Sequence, residues 1–255
     1  MTAARSESAS PTSFWLRHPA LLALVVTVVL LLAALAWPLL KAGREPAGAV
    51  ADPSAGMPWQ IELLPQGGSR ALGIAIGSDT LATAQARWGD DLQIIVMAAH
   101  GEAGALEASV ERYSAGFITG RLILSLDVAP ETLARWRGHV SKRDYIEGGT
   151  ARETLQRDDL AEALRATIVG LSFIPSANLD AETVRQRFGA PAEQQRLNGL
   201  EHWLYPERGL EVTLDPERRE LLQYVAPRDF EARLRQPLLV AVAAASAASA
   251  ASAAQ

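Results

Sequence analysis

Glu201-His-Trp-Leu-Tyr-Pro-Glu-Arg-Gly-Leu-Glu-Val-Thr-Leu214 has the outline of a β-hairpin. Pro206 to Gly209 supplies a proline where a turn wants a fixed φ and a glycine at its end. If Tyr205 pairs with Leu210, Trp203 pairs with Val212. Side chains alternate along a strand, so those four residues and Leu214 share one face. That face is apolar, which predicts that Trp203 and Tyr205 are core residues; ligand stacking by their rings is the alternative. The other face carries His202, Leu204, Glu211 and Thr213 and is expected to point outward. Leu204 is then an apolar side chain on a mostly polar surface, so these four residues are the expected partner-binding surface. His202 is expected to be a half-exposed sheet histidine near Glu211 rather than a catalyst.

The residues before the hairpin predict a short helix. Asp180-Ala-Glu-Thr-Val-Arg-Gln-Arg-Phe-Gly189 opens on an N-cap residue, closes on a glycine, and has Pro191 beyond to block resumption. A weaker copy lies 100 residues earlier, Thr80-Leu-Ala-Thr-Ala-Gln-Ala-Arg-Trp-Gly89. Thr, Arg and Gly coincide, and Trp88 and Phe188 each precede the glycine and are expected in the core. Each helix follows an apolar run, Ala71 to Ile76 and Ile168 to Ile174. Strands are predicted after the first helix at Leu92 to Ala98, Leu106 to Tyr113 and Phe117 to Leu126. After the second they are predicted at Gln194 to Leu197, Glu201 to Tyr205, Leu210 to Leu214 and Leu221 to Val225. Between the halves, Pro130 opens a helix with Leu133 and Trp136 on one face. Leu160, Leu164 and Ile168 mark another at i, i+4, i+8. The pattern predicts an α+β fold: tandem repeats of helix on antiparallel sheet, with halves at 59–150 and 151–238.

Residues 180–191, followed by Trp203-x-Tyr205, resemble the repeat of the SmpA/OmlA (BamE-like) family over roughly residues 178–226, with a fainter echo from residue 78. The arrangement is similar to that of the tandem-repeat β-lactamase inhibitor proteins. The resemblance implies helices on an antiparallel sheet and an envelope protein that binds other proteins and catalyses nothing. The chain departs from the outer-membrane members in having no cysteine to lipidate, and it has Asp90-Asp91 where the first half should have Gly-x-Pro.

Leu21 to Leu40 is a run without charge. At about 1.5 Å per residue it is long enough for the roughly 30 Å core of a bilayer. Phe14, Trp15 and Trp37 flank or end it as interfacial aromatics do. A transmembrane helix is expected at 19–41, after a short cytoplasmic tail at 1–18. A linker rich in Gly, Pro and Ala follows at 42–58. Cleavage of a signal peptide after Ala49-Val50-Ala51 is the competing reading. The short leading tail and long following domain fit a signal-anchor in the inner membrane, with the domain in the periplasm. Residues 239–255, rich in Ala and Ser, read as a low-complexity tail.

Composition and motifs exclude more than they assign. With 24 Lys+Arg against 29 Asp+Glu, no basic face for nucleic acid is visible. Zero cysteines exclude disulfides and thiolate chemistry. There is no H-E-x-x-H, P-loop or dinucleotide fingerprint. His100, His139 and His202 lack ligand spacing, so no metal, cofactor or catalytic residue is expected. The expected function is a membrane-anchored, non-enzymatic envelope protein whose domain binds a protein partner. An envelope hydrolase with a site assembled only in three dimensions, or a small-ligand sensor, are the alternatives.

Overall fold

A computed structural model describes residues 56–146, 148–215 and 219–253. The expected tail, spanning segment and nearly all of the linker lie outside them. Among the described residues, no helix is long and apolar enough to cross a membrane.

The first strands among the described residues, β1 (Glu62–Leu64), β2 (Gly68–Ala71) and β3 (Ile74–Ile76), form their own small sheet. Helix α1 (Leu81–Trp88) leads into the meander β4 (Leu92–Ala98), β5 (Ala105–Ala115) and β6 (Ile118–Asp127). Helix α2 (Pro130–Arg137), strands β7 (Lys142–Tyr145) and β8 (Ala151–Thr154), and helix α3 (Arg157–Ala163) follow. The second half runs from β9 (Thr167–Pro175) through α4 (Ala181–Phe188) into the meander β10 (Glu193–Leu197), β11 (Leu200–Tyr205), β12 (Leu210–Leu214) and β13 (Leu221–Val225). A final helix, α5, spans Gln236–Ala253.

Among the described residues, ten strands form one sheet in the order β10-β11-β12-β13-β9-β6-β5-β4-β8-β7, every pair antiparallel. Strand β9 joins the halves: Phe173 faces Leu222 on one side and Leu122 on the other. The fold is therefore α+β. Strand β8, just beyond the expected division at residue 150, pairs with β4 within the same ten-stranded sheet.

One face of the sheet carries the main core. Leu81 and Ala84 of α1, Leu133 and Trp136 of α2, Ala163 of α3, and Val184 and Phe188 of α4 all pack there. So do Ala71, Ile74 and Ile76 of the small sheet. The caps differ between the two matched helices. Asp180 accepts from Thr183 N at 2.8 Å, and the charged form that bond favours lowers its pKa. Thr80 makes no such side-chain bond; instead Leu81 N and Ala82 N donate to Ala166 and Leu164 carbonyls at 2.9 and 2.8 Å. The first amides of α1 are thus satisfied by the chain that enters β9, not by the expected cap.

Two further expectations are corrected. Leu160, Leu164 and Ile168 do not share a helix: α3 ends at Ala163, Ala166 N closes its last turn onto Ala163 O, and Ile168 lies in β9. The β-branched run Thr167-Ile168-Val169 prefers the pleated strand. The Ala/Ser-rich stretch expected as a low-complexity tail without an amphipathic face is helical to Ala253. A π-helical turn at Glu231–Arg235 runs straight into α5, and Phe230, Leu234, Leu238 and Val242 place an apolar row against the sheet.

Candidate functional site

The hairpin register is the expected one: Trp203 pairs with Val212 and Tyr205 with Leu210. Gly209 ends the turn in the left-handed region at φ 64°, and a Cβ there would lie 2.1 Å from the Val225 carbonyl oxygen, so no other residue fits. Trp203 is 2% exposed in the main core, with the Arg185 guanidinium 5.0 Å from its ring centre. Tyr205 donates to the Gly189 carbonyl at 3.1 Å, and burial pushes its phenol pKa up. Phe188 is buried, whereas Trp88 is only partly so, packed edge-on against Tyr113.

The opposite face is where expectation and structure part. His202, Leu204, Glu211 and Thr213 do share it, but all four are buried; Leu204 is 0% exposed. The parity was right and the exposure wrong. Leu204 and Val225 form a second core with Phe230, Leu234 and Leu238, flanked by Leu197 and Val242, so the C-terminal helix covers these strands. The signal that was available is the row Phe230, Leu234, Leu238, Val242, spaced by four. It straddles the onset of the Ala/Ser-rich stretch and vanishes if that stretch is set aside as low-complexity.

On the same sheet face as Leu204 lies a polar trio. His202 Nδ1 is 2.7 Å from Glu211 Oε1 and 3.3 Å from Thr213 Oγ1. The carboxylate orients the ring as a base's partner would. Nε2, the nitrogen a catalyst would turn to its substrate, is buried without a hydrogen-bond partner. The trio is a buried histidine–carboxylate–threonine cluster.

The helix covers only part of this sheet face. On the strands beyond its second core, the outward residues include Ile95 and Met97 of β4 and Ile123 of β6. All three are half-buried and none packs into either core. Glu107 sits among them, opposite Ile95, and burial raises its carboxyl pKa against the pull of Arg121. Gln93 and Ser125 on the same face are exposed. Among the described residues these three apolar side chains lie outside both cores, Ile123 set apart from Ile95 and Met97 by the polar Glu107 and Ser109 of β5.

The helix-bearing side has its own pattern. Arg87 and Arg187, the matched arginines of the two helices, each lie over a tryptophan: Arg87 over Trp88 at 5.1 Å, Arg187 over Trp59 at 4.8 Å. Trp59 also meets the Phe117 and Phe188 rings at 6.2 and 6.4 Å.

Elsewhere the charged groups look structural. Glu153 is 0% exposed and is held at 2.8 Å by Arg137 Nε and by Arg143 Nε. Asp159, in the first turn of α3, lies 3.0 Å from His139 Nε2. Among the described residues, no group of three or more His, Cys, Asp or Glu could hold a metal ion. A cavity of about 500 Å³ beside Asp180, Glu201 and Glu220 has no histidine in its lining. Neither has one of about 390 Å³ beside Phe188, Tyr205 and Arg208.

Comparison of the chain with protein families, with curated proteins and with solved structures finds no match.

Proposed function

We propose that the chain is a membrane-anchored, non-catalytic protein of the cell envelope that holds a protein partner on the open half of its sheet. Leu21–Leu40 is its single span of the inner membrane, and the domain lies in the periplasm. The observation that carries the reading is that Ile95, Met97 and Ile123, on one sheet face around Glu107 and Ser109, belong to neither core. Apolar side chains framed by polar ones on an open sheet are the makings of an interface rather than of a reaction site. The partner surface first expected at His202, Leu204, Glu211 and Thr213 therefore shifts across the sheet.

The tandem reading, with its resemblance to the SmpA/OmlA repeat, draws support from the order strand, helix, antiparallel meander in both halves. The hydrolase alternative would rest on the His202–Glu211 pair, whose free nitrogen is buried.

Two measurements test this. A reporter active only outside the cytoplasm, fused after Gln255, should be active; activity of a cytoplasmic reporter alone would reverse the topology. Fusion at Leu238 would cut the helix that closes the second core. Ile123→Asp should leave the near-ultraviolet circular dichroism unchanged and abolish co-purification of the partner from detergent-solubilised membranes. Ser125→Arg, at an exposed position of the same face, should do the same. Folded variants that recover the wild-type set of proteins would sink the docking face.

A further inference from the structure

We propose that the face formed by Phe117, Trp59 and Arg187 rests on the phospholipid surface of the membrane that anchors the chain; the inference builds on the anchor reading above. Phe117 occupies the tip of the β5–β6 hairpin and is 71% exposed. Hairpin tips are ordinarily polar, because loops run through water. This ring is not a stray one. It touches Trp59, and the Arg187 guanidinium lies over Trp59. Two aromatic rings with an arginine laid across one of them match the glycerol and phosphate levels of a bilayer: the rings sit among the headgroups and the cation pairs with phosphate. Arg208 adds a second exposed cation nearby, donating to the carbonyl of Phe188, whose ring meets Trp59.

The patch is also held rigid. Gly116 has φ +61°, and a Cβ on it would lie 2.4 Å from the end of the Met57 side chain. Met57 is itself fully buried. The hairpin tip is therefore locked onto the segment by which the chain enters the domain. That entry is what favours a lipid occupant. Lys41 to Ala55 is all that separates the apolar run from Gly56, and even fully extended those residues reach about 50 Å. Trp59 follows three residues later, so the tether joins the domain beside this patch. A lipid surface is always within its reach, whereas a soluble partner has to diffuse there.

The absence of cysteine from the chain makes the test direct. Full-length Phe117→Cys, carrying a bimane label, is reconstituted at one copy per nanodisc of phosphatidylcholine and phosphatidylglycerol doped with headgroup-level doxyl lipid. Tyr145→Cys, an exposed position on edge strand β7, is the reference. Quenching by the doxyl lipid should be several-fold stronger at 117 than at 145, and Arg187→Glu should reduce it. Equal quenching at the two positions, in protein that stays in the discs, overturns the lipid contact and leaves the anchor standing. Extraction of the wild-type chain from native membranes by alkaline carbonate overturns the anchor and the contact with it. Protection of position 117 that appears only with two copies per disc assigns the patch to a second copy and overturns the proposal.

Discussion

Leu204→Arg is expected to destabilise the domain by more than about 4 kcal/mol, the range reached when an unpaired charge is buried. Leu204 is fully buried between β11 and the C-terminal helix, among Val225, Phe230, Leu234 and Leu238. An arginine there would have to carry its guanidinium out through the helix–sheet seam or displace the helix altogether. Urea unfolding of purified protein should show a lower midpoint, and limited proteolysis should cut first after residue 230. A variant within about 0.5 kcal/mol of wild type, the range of ordinary surface changes, would mean that the helix does not cover this strand in solution.

Trp203→Ala is the second large effect, expected to cost about 3–5 kcal/mol, as loss of a large buried aromatic does. The indole fills the main core, and its outer rim receives the Arg185 guanidinium. The substitution therefore removes apolar volume together with a cation–π contact. Thermal unfolding reads the result. An unchanged midpoint would place the ring in solvent and revive a ligand-stacking role for it.

What could be read from the sequence was governed by alternation. Strands β4, β12 and β13 have the ends that their apolar runs predict, because each is bounded by turn residues and places alternate side chains in a core. The 201–214 register followed from one proline and one glycine. Strands β7 and β8 carry no such pattern. All four residues of β7 are exposed, and β8 turns Glu153 inward, where Arg137 and Arg143 neutralise it. A charge stands where the pattern demands an apolar residue, and only the arginines from α2 and β7 make that tolerable.

The candidate site was legible as geometry and illegible as environment. Parity placed His202, Leu204, Glu211 and Thr213 on one face and brought His202 to Glu211. Nothing within 201–214 tells whether water or a helix lies above them, because the covering row is 17 or more residues away in the chain. The open half of the sheet was missed for the converse reason. Ile95, Met97 and Ile123 sit in strands whose other face is strongly apolar, so their own apolarity reads as part of a continuous buried run.

The helix Gln236–Ala253 and the turn before it also bear on the order in which the sheet's second core is filled. A ribosome releases residues in chain order, so every strand of the large sheet has been synthesised before Phe230, Leu234 and Leu238 exist. Until they arrive, Leu204 and Val225 form a bare sticky patch on otherwise paired strands. A copy truncated after β13 keeps that patch for good, and chaperones and proteases recognise such exposed apolar surface. With residues 230–242 in place, Leu204 and Val225 are buried.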